Sequence, residues 1–175
     1  MIPLAEFDAR RRALCERLAA LDLPGAIVFG RGGGTYDRHG DILYLTNHYP
    51  AMPYLPDRPP SWSAKGHSVL VLPSSDEPVL GVDNPDFALD EVTIDHVEVG
   101  NDVVELAARL ASSKELTGRV GLIGWDSLPA TAAERFRGEL TDLKPVDCSG
   151  ELEALRLVKS SSELSLIREA SAVAV

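Results

Sequence analysis

The chain has 175 residues and carries 17 Lys and Arg against 27 Asp and Glu, so its formal net charge is −10 and its pI is near 4.8. A length of this order predicts one domain that can bury a core without disulfides. The negative charge disfavours nucleic acid as a partner, because phosphate binding needs clustered Lys and Arg. No apolar run approaches a membrane span, and the charged N-terminus, MIPLAEFDARRR, lacks the apolar core of a signal peptide. We therefore expect no membrane partner and no secretion.

The cysteine content indicates a reducing compartment. Cys15 and Cys148 stand far apart in the sequence and form no CxxC pair. A disulfide framework needs more cysteines than this, and isolated cysteines are typical of free thiols. The sequence therefore predicts a cytoplasmic location.

The first half of the chain is predicted to form a helix followed by strands. Phe7, Leu14 and Leu18 recur on one face at the helical period. Short apolar runs rich in β-branched residues follow, as in strands of an α/β sheet. A turn at 73–77 (PSSDE) separates the last two runs and suits a hairpin. The predicted elements are a helix over 4–21 and strands over 26–29, 42–46, 68–72 and 78–82.

The second half is predicted to alternate strands with helices. Asn101 is the expected cap of a helix that runs to about Ser112, and Pro129 lies in the first turn of the next helix. Ser160 and Glu163 have the spacing of a capping box. Together with the hairpin, this alternation predicts an α/β fold with a mixed β-sheet flanked by helices. The remaining predicted elements are strands over 92–99, 120–123 and 143–146 and two helical pieces from 150 onward.

The last predicted helix has no recognisable end. Its apolar period continues through Ile167 and Val173 to Val175, without a Gly, a Pro or a basic last turn. We therefore expect the chain to be a fragment of a longer protein, cut inside a helix.

A glycine-rich segment at 30–34, from Gly30 to Gly34, follows the first predicted strand and invites a phosphate-loop interpretation. The dinucleotide fingerprint GxGxxG would need a glycine where Thr35 stands, and no Lys-Ser or Lys-Thr completes a Walker loop. The plainer interpretation is a tight or flexible connection between elements. A free-standing module that binds a small molecule or nucleotide through this segment remains the alternative function.

The sequence contains no constellation that points to catalysis. Neither HExxH nor GxSxG occurs, and the histidines at 39, 48, 67 and 96 are not paired at i, i+4. Asp37, His39 and Asp41 are close enough in sequence to share a cation, but charged loops of this composition are common. We assign no catalytic residue and no metal ligand.

The segment 47–65 is a long proline-rich loop with interleaved aromatic residues. A loop of this length inside a compact domain is usually functional or flexible. Aromatic and arginine side chains often carry binding energy, so the loop is either a recognition surface or a hydrophobic flap over one end of the sheet. The candidate site residues are His48, Tyr49, Tyr54, Arg58 and Trp62.

The end of the chain resembles the linker between the two domains of the creatinase/prolidase family. The resemblance is carried by residues 152–160 (LEALRLVKS), by Glu163 and Leu164, and by residues 167–170 (IREA). The order of the predicted elements before the linker is compatible with the family. The resemblance implies a creatinase/prolidase N-terminal α/β domain over 1–150, with a ribonuclease-H-like arrangement, and linker helices over 151–175.

This resemblance implies a non-catalytic role for the chain within a larger hydrolase. The family includes Xaa-Pro aminopeptidases, prolidases and creatinase, whose pita-bread catalytic domain holds two divalent metal ions through Asp, His and Glu ligands. Those ligands would lie beyond the linker, so we expect no cofactor in this chain and no activity of the chain alone. The implied partners are the protein's own C-terminal catalytic domain and a second copy in a homodimer.

The resemblance also implies that the loop beginning near His48 shapes substrate access. The sequence departs from the common family pattern in this same loop. Asn47 and His48 follow Thr46, where many members have a glycine.

Overall fold

A six-stranded mixed sheet with strand order β4-β3-β2-β1-β5-β6 forms the centre of the molecule. The computed structural model describes residues 2–33, 37–51, 55–56 and 64–173. β2 runs antiparallel to its neighbours β1 and β3, whereas β1–β5, β5–β6 and β3–β4 are parallel pairs. The predicted mixed sheet is therefore confirmed. The strands are β1 Gly25–Arg31, β2 His67–Pro73, β3 Val79–Val82, β4 His96–Val99, β5 Gly118–Ile123 and β6 Leu143–Asp147.

Helices cover both faces of this sheet. α3 and α4 contribute to the apolar cluster on one face, and α1, α2 and α5 contribute to the cluster on the other. None of the helices in the described part of the chain is both long and apolar enough to cross a membrane. The helices are α1 Leu4–Ala20, α2 Gly40–Thr46, α3 Val103–Ser113, α4 Ala130–Glu139, α5 Ser149–Leu157 and α6 Ser161–Val173.

β1 lies between the two apolar layers and divides its side chains between them. Ile27 and Phe29 belong to the cluster with α3 and α4, whereas Ala26 and Val28 belong to the opposite one. Because alternate strand residues point to opposite faces, a strand buried on both sides must be apolar throughout. Phe29 meets Phe136 of α4 edge to face, with 5.4 Å between ring centroids.

Most predicted elements are confirmed, with shifts at their ends. The hairpin pairs Ser68 with Val82 in an antiparallel register. The helix after β4 is capped by Asp102 instead of Asn101, because the Asp102 carboxylate accepts hydrogen bonds from the backbone of residues 104 and 105. Pro129 occupies the N-cap position of α4 instead of its first turn. The strand predicted over 92–99 is shorter, and only His96–Val99 pair with β3.

The strand predicted over 42–46 is wrong, because these residues form the end of helix α2. Their β-branched and aromatic composition suits a strand, but Ile42, Leu45 and Thr46 form the buried side of a helix. Asn47 follows in the left-handed conformation, with φ of 56°, which Asn tolerates better than most residues. Its N–H donates to the Leu43 carbonyl at 3.0 Å and ends the helix.

Tertiary hydrogen bonds satisfy the remaining carbonyl groups at the end of α2. Nη1 of Arg10 donates to the carbonyl oxygen of Tyr44 at 3.0 Å, and Nη1 of Arg11 donates to that of Leu45 at 2.7 Å. The backbone N–H of Thr93 donates to the last carbonyl of the helix at 2.8 Å. A seven-residue helix is marginal by itself. Two arginines from α1 therefore stabilise a helix that local propensity does not favour.

Candidate functional site

The candidate site lies at the edge of the sheet where β1 and β3 end. β2 is antiparallel to both strands, so its first residues, His67 and Ser68, lie beside Arg31 at the end of β1 and Val82 at the end of β3. The loop that follows β1 leads to His39 and α2, and the proline-rich segment returns to β2 at the same edge. This edge therefore collects polar side chains from segments distant in sequence.

Two histidines share one serine hydroxyl at this edge. Nε2 of His39 and Nε2 of His48 each lie 3.1 Å from Oγ of Ser68, and the two imidazole centroids are 5.3 Å apart. The exposed fractions of these residues are 0% for His39, 2% for His48 and 1% for Ser68. A hydroxyl carries a single hydrogen, so at least one imidazole must donate its Nε2–H to the serine oxygen. We call this arrangement the histidine–serine chain.

The histidine–serine chain is held neutral. Burial, together with the nearby His48 and His67, lowers the pKa of His39 from 6.5 to about 3, although Asp37 opposes the shift. Burial likewise lowers the pKa of His48 to about 4, against the pull of Asp83. Neither imidazole titrates near pH 7, where a general base works best, and the Ser68 hydroxyl is closed to solvent. The arrangement suits structural support better than acid–base or nucleophilic chemistry.

A buried carboxylate fixes the start of β2. Asp83 accepts hydrogen bonds from the backbone N–H of Gly66 at 2.9 Å and of His67 at 3.0 Å. Its Oδ2 also lies 3.6 Å from Nδ1 of His67. Gly66 has φ of 92°, a conformation that glycine adopts without strain. Asp83 therefore holds the point at which the proline-rich segment enters the sheet.

The proline-rich segment is closed at its base by backbone hydrogen bonds. Leu55 and Lys65 form an antiparallel bridge, with N–H to carbonyl distances of 3.0 and 2.9 Å. Nζ of Lys65 donates to the carbonyl of Asp83 at 2.8 Å and to Oδ1 of Asn101 at 3.3 Å. The second end of the segment is thus tied to the loops after β3 and β4.

The predicted site residues that the structure describes differ in burial. His48 is buried in the histidine–serine chain, with its ring 5.1 Å from that of Phe87. Tyr49 is 43% exposed, and its hydroxyl donates to Asp37 at 2.5 Å, a bond that raises the pKa of the tyrosine. Tyr54, Arg58 and Trp62 lie outside the described residues.

The cation site considered for Asp37, His39 and Asp41 is not assembled. Asp41 pairs with Arg156 of α5, whereas Oδ1 of Asp37 accepts the backbone N–H of His39 at 2.8 Å. Among the described residues, no group of three or more His, Cys, Asp or Glu side chains is arranged to hold a metal ion.

Packing explains one glycine of the glycine-rich segment, Gly32. Gly30 lies within β1, and a Cβ at Gly32 would stand 2.3 Å from Cγ of Pro50. The N–H of Gly32 donates to the carbonyl of Gly66 at 2.8 Å. Close approach of the backbone to Pro50 therefore accounts for Gly32.

Sequence reasoning missed Ser68 and Asp83 as parts of the site. Ser68 lies within β2 and Asp83 directly follows β3, and both are nearly fully buried. Burial of a polar side chain is costly unless it is hydrogen-bonded. A polar residue at the end of an apolar strand was the available signal, but its partners come from distant segments.

The two helical pieces predicted from residue 150 onward are confirmed as α5 and α6. Leu152 anchors α5 in the core, and Nη1 of Arg17 lies 2.9 Å from the Glu151 carboxylate. The backbone N–H of Ser160 donates to Glu163 at 2.9 Å, and that of Glu163 donates to the Ser160 hydroxyl at 3.1 Å, so the predicted capping box is present.

Residues 10–158 match the family described as the Creatinase/Prolidase N-terminal domain. The chain belongs to this family. It is also 24% identical over 189 residues to the uncharacterized hydrolase/peptidase y4tL of Sinorhizobium fredii, with 99% of this chain and 44% of that protein covered.

Solved structures show the same fold. The prolidase from Pyrococcus horikoshii OT3 is similar with a TM-score of 0.67 and 15% identity, over 95% of this chain and 40% of that one. Dipeptidase PepE from Mycobacterium ulcerans gives 0.63 and 21% identity, over 94% and 40% of the two chains. The N-terminal domain of the cytoplasmic peptidase PepQ from Mycobacterium tuberculosis H37Rv gives 0.60 and 18% identity, over 84% and 98%. The chain thus spans about two fifths of the full-length relatives and nearly all of an isolated N-terminal domain.

Proposed function

We propose that this chain is the non-catalytic N-terminal domain of a metal-dependent Xaa-Pro peptidase, or of a related creatinase-like hydrolase, and that it contributes to substrate access. The observation that carries the proposal is the family match over residues 10–158, combined with the 40% share of a full-length prolidase that the chain covers. In this proposal residues 1–150 form the domain and residues 151–175 form the linker.

The access function is assigned to the proline-rich segment 47–65. Its ends are held by the histidine–serine chain on one side and by Asp83 and Lys65 on the other. Tyr49 is exposed beside this base. A loop whose ends are fixed on a rigid sheet can present side chains to a neighbouring active site at little entropic cost. In this proposal Tyr49, Tyr54, Arg58 and Trp62 shape the pocket, while His48 supports them from the core.

The remaining parts of the proposal concern the whole protein. Its two divalent metal ions belong to a catalytic domain outside this chain, and that domain is the first partner. A homodimer is the second, because an access loop can then reach the active site of either subunit. The free thiols of Cys15 and Cys148 fit a cytoplasmic location.

The test compares this chain with the longer protein that contains it. We expect the longer protein to hydrolyse an Xaa-Pro dipeptide in the presence of Mn²⁺ or Co²⁺ and to lose activity with a chelator, while this chain alone is inactive. Metal-dependent hydrolysis by the purified chain, or its absence from the longer protein across several divalent ions, would contradict the proposal.

Substitutions in the longer protein test the access function. Tyr49→Ala is expected to lower kcat/KM by about 5- to 30-fold, the effect of roughly 1–2 kcal/mol of lost substrate contact. His96→Gln at the far edge of the sheet is the matched control, since its side chain is also exposed. Equal kinetics for both variants and the unsubstituted protein would refute a role of this loop in substrate access.

A further inference from the structure

A single buried side chain, Arg10, contacts three helices. Its guanidinium donates to the Tyr44 carbonyl of α2 at 3.0 Å and pairs with Glu6 of its own helix α1 at 2.5 Å. It also lies 3.4 Å from Oε1 of Glu163 in α6. The Tyr44 ring packs against the guanidinium carbon, which lies 4.2 Å from the ring centroid. Only 6% of Arg10 is exposed, so these contacts are shielded from competing water.

Glu163 joins this guanidinium to the start of α6. One of its carboxylate oxygens accepts the backbone N–H of Ser160 in the capping box, and the other faces Arg10. Hydrogen bonds from Ser160 and Arg10 hold the pKa of Glu6 below its usual value, although burial opposes the shift. None of the described residues of α6 is buried. The first turn of α6 is therefore its main attachment to the rest of the domain, and Arg10 is at the centre of that attachment.

On its other side, the Arg10 guanidinium holds the turn at which the proline-rich segment begins. The Tyr44 carbonyl lies in the last turn of α2, where the N–H of Asn47 donates to the Leu43 carbonyl at 3.0 Å. The N–H of His48 donates to Oγ1 of Thr46 at 3.0 Å. Arg10 thus holds the helical turn from which His48 leaves to join Ser68.

We propose that Arg10 is a positioning residue that couples the linker helix α6 to the base of the access segment at residues 47–51. The guanidinium is oriented by Glu163 on one side and holds the end of α2 on the other. When the Glu163 charge is lost or α6 is displaced, Arg10 holds the Tyr44 carbonyl less firmly, and the turn containing Asn47 and His48 opens more often. The functional meaning of this coupling rests on the proposed access function.

Hydrogen exchange of this 175-residue chain tests the coupling. Glu163→Gln is the informative variant, because Gln also completes a capping box and so keeps the start of α6 while removing the ion pair. We expect the amides of Asn47 and His48 to exchange about 2- to 5-fold faster, because the free energy of local opening should fall by about the contribution of one partly buried ion pair. Glu169→Gln is the matched control, since Glu169 lies on the exposed part of the same helix.

A double-mutant cycle identifies Arg10 as the connecting group. In an Arg10→Met background, Glu163→Gln should have no further effect on the exchange of Asn47 and His48. Unchanged exchange of these amides in Glu163→Gln would overturn the proposal, and so would an equal acceleration by Glu169→Gln. If Arg10→Met does not fold, the comparison of the Glu163 and Glu169 variants still tests whether α6 is coupled to residues 47 and 48.

The hydrogen-exchange measurement does not depend on peptidase activity. A longer protein without Xaa-Pro hydrolysis would refute the proposed function and leave the measured coupling intact. Unaltered exchange in Glu163→Gln would refute the coupling and leave the proposed function standing.

Discussion

Acidification should destabilise this domain through the two buried histidines of the histidine–serine chain. In the unfolded chain both imidazoles titrate near 6.5, whereas in the folded protein the pKa is lowered to about 3 for His39 and about 4 for His48. Between these values the unfolded state binds more protons than the folded state. The stability that neutral histidines contribute is therefore complete above pH 6.5 and is lost as the pH falls toward 4 and 3.

The expected magnitude follows from the width of that window. Each pKa unit corresponds to about 1.4 kcal/mol, so each histidine costs about 2 kcal/mol of folding free energy between pH 7 and pH 5. The two together cost about 4 kcal/mol, a large share of the roughly 5–15 kcal/mol that stabilises an ordinary domain. Above pH 5 most carboxylates remain ionised, so the histidines should dominate the change.

Urea unfolding at pH 7 and pH 5 measures this effect. His48→Gln keeps one donor and one acceptor but does not titrate, so its loss between the two pH values should be smaller by about 2 kcal/mol. The exposed His96, replaced in His96→Gln, serves as the control and should leave the loss unchanged. A decrease below about 1 kcal/mol in the unsubstituted chain, or an undiminished decrease in His48→Gln, would refute the reasoning.

Two further predictions concern local packing, and chemical denaturation measures both. Arg11→Met removes a buried guanidinium that caps α2 and should lower the free energy of unfolding by about 2–3 kcal/mol. Arg12→Met changes an exposed position of α1 and should lower it by less than about 0.5 kcal/mol. Equal effects of the two variants would contradict the capping role. Gly32→Ala places a Cβ 2.3 Å from Cγ of Pro50 and should cost about 1–3 kcal/mol. Gly138→Ala in α4 meets no atom within 4 Å and should instead stabilise by about 0.5–1 kcal/mol, so a destabilised Gly138→Ala or a neutral Gly32→Ala would count against this account.

Elements whose sequence pattern lies within their own residues are predictable. β1 is apolar on both faces, so a short β-branched run was sufficient to recognise it. The capping box of α6 joins residues three apart, and its spacing is visible in the sequence. α5 and α6 also contain the residues that resemble the family's linker.

Elements stabilised from a distance were not predictable. The composition of residues 42–46 predicts a strand, whereas the arginines that cap α2 come from α1, 34 positions earlier in the chain. Asn47, which favours the left-handed turn after a helix, was the one local indication. The cap of α3 was misplaced by one residue, an error within the usual uncertainty at helix ends.

The sequence by itself determined the α/β class, the position of the central strand, the hairpin and the capped helix α6, because each depends on periodicity or on short-range hydrogen bonding. Only the tertiary structure decided that α2 is a helix and that the side chains of His39, Ser68 and His48 are joined by buried hydrogen bonds. The reason is physical: a buried polar group needs a partner, and the strand order determines which distant segment supplies it. The acidic chain of 175 residues is thus a Creatinase/Prolidase N-terminal domain in which Arg10 contacts both the end of α2 and the first turn of α6.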